Sequence, residues 1–175
     1  MMAPTKKDLQ KIIAHLNLQP LPYEGGWFAQ TYKSKDIIAK SFLPKEYPAS
    51  RVLGTAIVYL MTPTQGGFSA LHRLRGDEIL HFHLGDPVES LLLYPDGSHK
   101  RFVLGADILN GQVVQLVIPA GTWQGHRVIS GGAYALIGST MSPGYEDEDF
   151  ELGQREEICQ KYPGLTDEIT ALTRK

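Results

Sequence analysis

The sequence predicts an all-β protein whose strands form an antiparallel sandwich or barrel. About nine apolar segments with strand-like alternation follow one another at a spacing of roughly ten residues. Turn residues separate these segments, because the 18 Gly and 11 Pro are spread between them rather than gathered in one linker. No helical periodicity interrupts the series, which favours antiparallel sheets over an alternation of strands and helices.

A helix is predicted before the strands, at about residues 5–17. Its apolar residues recur at helical spacing and are Leu9, Ile12, Ile13 and Leu16. Thr5 or Asp8 is suited to cap its first turn, and Pro20 and Pro22 end it. The chain therefore enters the strand region from an N-terminal amphipathic helix.

The strand segments form a barrel that we expect at about residues 23–151. Each is a short apolar run bounded by Gly, Pro, Asn or Asp. They are predicted at residues 27–32, 52–61, 68–74, 78–84, 88–94, 100–104, 113–118, 126–129 and 134–140. Separators such as Pro95-Asp96-Gly97 and Asn110-Gly111 are typical of hairpin turns.

A helical tail is predicted behind the barrel, at about residues 154–172. Residues 154–162 are suited to a helix that ends before Pro163, and the remainder is either a short amphipathic helix or a frayed end. No linker or internal repeat marks a second domain. We therefore expect residues 1–175 to form a single domain.

Charge, hydropathy and cysteine usage exclude several classes of function. With 17 Lys and Arg against 19 Asp and Glu, the net charge of -2 argues against a nucleic-acid partner and against binding to a membrane surface. The longest apolar run, residues 52–61, is too short to span a bilayer. A single cysteine, Cys159, and the lack of a visible signal peptide lead us to expect a cytoplasmic protein.

His72 and Glu78 are the first candidates for chemistry. A predicted turn separates them, so neighbouring antiparallel strands are expected to bring both side chains to the inner face. A histidine and a carboxylate so placed can ligate a metal or move a proton. His126 is expected near the mouth of a pocket or at the surface.

Strand alternation places the two remaining strand histidines on the opposite face of the sheet from Glu78. His81 and His83 have the opposite parity to Glu78, so they are expected on the outer face, in solvent or at a subunit contact. The same alternation predicts that Leu84 points inward with Glu78. A bulge in this strand would overturn the prediction.

Two spaced motifs resemble those of the cupin superfamily. In that family a glycine leads to His-x-His, then Glu, then Gly, and the matching residues here are Gly66, His72, Glu78 and Gly85. Residues 119–124 are similar to the family's second motif, Pro-x-Gly-x-x-His. Leu74 and Gln124 stand where the family usually has two of its four histidine and glutamate ligands.

Further segments resemble one cupin branch of single-domain proteins described as a domain of unknown function. They lie at residues 24–32, 68–78, 115–124 and 143–150, within a resemblance that covers residues 23–163. The resemblance implies a cupin-type antiparallel β-barrel, or jelly roll, similar in shape to sugar-nucleotide epimerases and germin-like proteins. It also implies a homodimer, for which residues 27–32 are a candidate strand to pair or exchange between subunits.

The leading hypothesis is a barrel that binds a small polar molecule, such as a sugar or a sugar-nucleotide-like compound. His72 would act as the base and Glu78 would orient it or share the proton, as in an epimerase or isomerase. Polar and aromatic side chains are expected to contact the ligand, and these are Phe28, Arg51, Tyr59, Ser69, Gln115, Trp123 and Gln124.

Two alternatives remain open. In the first, His72, Glu78 and Gln124 hold a divalent metal ion in an oxygenase or isomerase, although only weakly because Leu74 supplies no ligand. In the second, the chain is a non-catalytic binding or storage module. A fold by itself does not decide between these functions.

Overall fold

Two antiparallel sheets dominate the computed structural model, which describes residues 6–63 and 66–174. The predicted all-β fold class is confirmed, with α-helices only near the ends of the chain. The strands are β1 (Gln19–Pro20), β2 (Trp27–Lys33), β3 (Ile37–Ile38), β4 (Arg51–Val52), β5 (Thr55–Met61), β6 (Ser69–Leu74), β7 (Glu78–Gly85), β8 (Val88–Leu93), β9 (His99–Leu104), β10 (Gln115–Ile118), β11 (Trp123–Val128), β12 (Ala135–Met141) and β13 (Phe150–Leu152). The α-helices are α1 (Lys6–His15), α2 (Arg155–Lys161) and α3 (Thr166–Ala171).

The strand order is that of a jelly roll. The larger sheet runs β1-β2-β5-β12-β7-β10, and the smaller sheet runs β13-β6-β11-β8-β9. Neighbouring strands in each sheet are often far apart in sequence, as β5 and β12 are. The pairings of β12 with β5, of β12 with β7 and of β11 with β8 are all antiparallel. Such crossovers between two sheets close the barrel around an inner face shared by both.

The predicted strands correspond to β2 and β5 through β12, with changes at their ends. The strand predicted at residues 126–129 begins earlier, because Trp123 and Gln124 already pair with Leu93 and Leu92 of β8. The strands that the alternation missed, β1, β3, β4 and β13, are only two or three residues long. Thr5, a predicted cap of α1, lies outside the described residues.

The main core fills the space between the two sheets. It contains buried residues from both of them, including Leu80 of β7, Leu92 of β8 and Ile137 of β12. The outer face of the smaller sheet packs against α2 and α3, through residues such as Ile158 and Ile169. Both C-terminal helices are thus held by apolar burial, the dominant favourable term in folding.

The N-terminal helix covers part of the larger sheet. Ile12, Ile13 and Leu16 of its region pack against Leu60 of β5 and Leu136 of β12, which point away from the barrel interior. None of the helices within residues 6–63 and 66–174 has the length and apolar character needed to cross a bilayer.

Candidate functional site

A cavity of about 1060 Å³ lies inside the barrel, next to the main core. Its size is at the upper end of the range usual for small-molecule sites. Six candidate residues discussed from the sequence line it together, and they are Phe28, Tyr59, Ser69, His72, Glu78 and His126. Strands from both sheets supply these side chains, because alternate residues of each strand face the barrel interior.

His72 lies on β6 and is only 3% exposed. Its Nδ1 is 2.8 Å from the carbonyl oxygen of Ala70. Because a carbonyl only accepts hydrogen bonds, Nδ1 carries the hydrogen and the neutral ring keeps a lone pair on Nε2. The ring stacks on Phe150 of β13, with 5.3 Å between centroids. Within the described part of the chain no hydrogen bond reaches Nε2, which is therefore available to a ligand.

Glu78 begins β7 and is held at both carboxylate oxygens. The Gln124 amide nitrogen donates to Oε2 at 2.7 Å, and the Ser139 hydroxyl donates to Oε1. These donors fix the orientation of a carboxylate that is 9% exposed. Glu78 is thus arranged to present a fixed negative charge to the cavity.

Gln124 and His126 continue this arrangement, and His126 is among the residues that line the cavity. The Gln124 carbonyl oxygen accepts from His126 Nε2 at 2.9 Å, so His126 Nδ1 accepts from the Ser90 hydroxyl, also at 2.9 Å. We call the series Ser90, His126, Gln124, Glu78 and Ser139 the buried polar chain. Each hydrogen-bond direction in it follows from the one before, since a carboxylate accepts from both of its neighbours.

The alternative that placed His126 at the surface is wrong, because the side chain lines the cavity. The side chain is 3% exposed, and burial, with a further contribution from His72, lowers the pKa of His126 to about 3. Gln124 and His126 lie two residues apart on β11, so both face inward. A strand predicted from Trp123 onward would have indicated this placement.

Glu24, in the loop before β2, is a cavity residue that the sequence did not single out. Its carboxyl accepts from the Ser69 hydroxyl at 2.7 Å. Burial raises the pKa of Glu24, Glu78 raises it further and His72 opposes the rise. The next residue, Gly25, has a φ of +112° and accepts a hydrogen bond from Tyr59 Oη at 2.8 Å. A carboxylate placed directly before two glycines was the available signal.

The residues present do not fit a metal centre. Gln124 presents its amide nitrogen to Glu78, while its carbonyl oxygen already accepts from His126. Both oxygens of Glu78 accept hydrogen bonds from protein groups, and Leu74 offers no ligand atom. In the described part of the chain no group of three or more His, Cys, Asp or Glu could hold a metal ion. The hypothesis that His72, Glu78 and Gln124 together hold a metal ion is therefore not supported by the way these side chains are bonded.

Besides Gln124, which does not line the cavity, three of the predicted ligand contacts lie elsewhere. The Gln115 side chain bonds His81 on the outer face, at 3.1 Å. Trp123 packs in the core between the smaller sheet and the C-terminal helices. Arg51 is 1% exposed and donates two hydrogen bonds to Asp149, so that its charge is used within the fold. None of these three lines the barrel cavity among its described residues.

His81 and His83 lie on the outer face, as strand parity predicted. His81 bonds the Thr140 hydroxyl at 2.9 Å, and the His83 ring lies over Gly138. Leu84, however, points outward and is 44% exposed. A bulge inserts one extra residue of β7 opposite β12, which reverses the parity beyond it.

Comparisons with known proteins agree with this architecture. A family model described as "Cupin superfamily (DUF985)" matches residues 10–153. A hypothetical protein from Leishmania major has a TM-score of 0.84 and 27% identity, covering 95% of this chain and 98% of that one. Protein SO0799 from Shewanella oneidensis has a TM-score of 0.79 and 30% identity, covering 94% and 96%.

A curated relative extends the comparison. The uncharacterized protein YML079W of Saccharomyces cerevisiae is 29% identical over 136 residues, which is 72% of this chain. The chain spans 66% of the length of that relative. The names of these three proteins state no ligand or reaction.

Proposed function

This chain belongs to the cupin superfamily, in the branch designated DUF985, and from that premise we propose that its barrel binds a small, sugar-like molecule and moves a proton on it. His72 acts as the base, and Glu78 supports it electrostatically. The carbon acid is a position next to a carbonyl group, whose proton a neutral imidazole can remove.

One observation carries this proposal, the hydrogen bond from His72 Nδ1 to the carbonyl oxygen of Ala70. It leaves the basic lone pair on Nε2, in a ring that lines the cavity and has its orientation further set by stacking on Phe150. A base held in one tautomer and one orientation is what general-base catalysis requires.

The two cavity carboxylates support the charge that His72 acquires. Glu78 has both oxygens occupied by Gln124 and Ser139, which supports an electrostatic role rather than a direct exchange of protons with the ligand. Glu24 interacts electrostatically with both His72 and Glu78. Opposite charges favour the protonated form of a histidine, so these groups stabilise the imidazolium formed when the proton is taken.

The proton balance requires no additional reactant. His72 Nε2 forms an N–H bond as the carbon–hydrogen bond breaks, and the electron pair moves onto the carbonyl oxygen to give an enolate. Return of the proton by His72 to the neighbouring carbon, on the same face, regenerates the base and gives the isomer, while the hydroxyl proton of that neighbouring carbon passes to the enolate oxygen. Return to the original carbon gives the epimer when the enolate has first turned its other face toward His72. The net reaction is an epimerisation or an isomerisation.

The test is deuterium incorporation from solvent into a panel of aldose and ketose sugars that bind the protein. His72→Asn should leave affinity within a few-fold but reduce incorporation by about a hundred- to ten-thousand-fold. His99→Asn, which alters an exposed histidine, is the matched control and should incorporate at the wild-type rate. Wild-type protein that binds a sugar without any incorporation would instead be a non-catalytic binding module.

A further inference from the structure

The charged groups around the barrel cavity are mainly acidic. The carboxylates among its described lining residues are Glu24, Glu78, Glu146 and Asp147. Lys33 is the one lysine or arginine in that lining, and its ammonium is already paired with Glu146 at 2.7 Å. The carboxylates of Glu24 and Glu78 inside the cavity, and of Asp147 at its exposed rim, form no ion pair with Lys or Arg among the described residues, since Arg174 donates only to the backbone carbonyl of Glu24.

Aromatic rings form much of the remaining wall near Glu24. Phe28 and Tyr59 are directly paired across β2 and β5, and Tyr59 bonds the backbone next to Glu24. Elsewhere in the fold, arginines already lie over aromatic faces, as Arg73 does over Trp123. No described cation lies over Phe28 or Tyr59. The faces of such rings attract cations.

The Nε2 atom of His72 is a second sign that a ligand completes this site. It belongs to a cavity-lining side chain that is only 3% exposed, and no hydrogen bond from the described residues reaches it. Buried polar groups are almost always paired with protein, water or ligand. The ligand must therefore both approach His72 and tolerate two neighbouring carboxylates.

We propose that the ligand of this cavity carries a positively charged amino group, which lies beside Glu24 and against the rings of Phe28 and Tyr59. This inference rests on the proposed function and names the substrate class, an amino sugar or amino polyol. A phosphorylated or nucleotide ligand is disfavoured, because like charges repel and the cavity offers it no unpaired Lys or Arg.

The charge state of Glu24 supports the same assignment. Burial and the nearby Glu78 raise the pKa of Glu24, so its ionised form is costly in the ligand-free cavity. An ammonium group beside it would stabilise the ionised form. The binding of the amine and the ionisation of Glu24 should therefore favour each other.

Calorimetry with matched probes tests the proposal on the wild-type protein. The pairs are glucosamine against glucose and choline against 3,3-dimethylbutanol, and glucosamine 6-phosphate tests the added anion. We expect at least one amine to bind about tenfold or more tightly than its neutral partner, and the phosphate to weaken glucosamine binding. Amines that bind no better than their neutral partners, or no binding by any amine, would overturn the proposal.

Glu24→Gln supplies the variant test. It should remove the preference for the amine while keeping the affinity for the neutral partner within a few-fold. Glu157→Gln is the charge-matched control, because Glu157 is an exposed carboxylate on α2 outside the cavity. Deuterium incorporation into neutral sugars without any preference for amines would leave the proposed function intact and reject only this inference.

Discussion

The buried imidazole of His126 should make the protein less stable as the pH falls below about 7. Its pKa is about 3 in the folded protein, against an ordinary value of 6.5. Between these values the unfolded chain binds a proton that the folded chain does not bind. Protonation therefore favours unfolding, and stability rises with pH across this window.

The two pKa values give the size of the effect. A pH of 5 is about 1.5 units below the pKa of histidine in the unfolded chain, so that histidine is protonated there, while folded His126 remains neutral. At 1.36 kcal/mol per unit, lowering the pH from 8 to 5 should cost about 2 kcal/mol of unfolding free energy from this residue alone. Ser90 and Gln124 hold the neutral ring, and His72 adds repulsion to the charged one.

Urea unfolding at pH 8 and pH 5 measures this cost. His126→Asn keeps a polar side chain but cannot titrate, so its loss of stability between the two pH values should be smaller than the wild-type loss by about 2 kcal/mol. His99→Asn, at an exposed position, should keep the wild-type pH dependence. If His126→Asn also shows the wild-type pH dependence of stability, His126 is not held neutral in the folded protein. The hydrogen-bond directions inferred for the buried polar chain are then incorrect.

Two further substitutions test contacts that hold the fold and the cavity. Asp149→Asn should lower the free energy of unfolding in urea by about 3 kcal/mol, the lower end of the range for a broken buried pair, because Arg51 loses its bidentate partner but keeps Glu148 at 2.7 Å. Glu151→Gln, in an exposed ion pair, should cost less than about 1 kcal/mol, and equal losses for the two variants would contradict this reasoning. Arg174→Met removes donors to backbone carbonyls of the loop that carries Glu24. Amide hydrogen exchange, measured by mass spectrometry, should therefore accelerate at residues 23–26. Unchanged exchange at these residues would show that Arg174 does not hold this loop.

The fold was largely predictable because its signals are local. Alternation of apolar residues and the turn residues between them placed β2 and β5 through β12, with shifts at the ends. The strands β1, β3, β4 and β13 were missed, since two or three residues contain too little alternation to detect. Leu84 was assigned to the wrong face because a single extra residue reverses strand parity, and sequence alternation alone does not reveal a bulge.

The cavity was predictable only where motif and parity agreed. His72 and Glu78 could be placed inside the barrel because a short turn joins their strands. Arg51 and Trp123 could not be assigned correctly, because their environments come from Asp149 and the C-terminal helices, distant segments of the chain. The role of such a residue depends on which distant segments of the chain contact it in the folded protein.

The sequence by itself determined the antiparallel β architecture, the placement of His72 and Glu78 on the barrel interior, and the outward direction of His81 and His83. These follow from periodicity and turn chemistry between neighbouring residues. Only the tertiary structure decided that Gln124 turns its nitrogen toward Glu78 and that Glu24 enters the cavity. The physical reason is that hydrogen-bond direction and burial depend on groups from several strands at once, and each group is constrained by all of its neighbours.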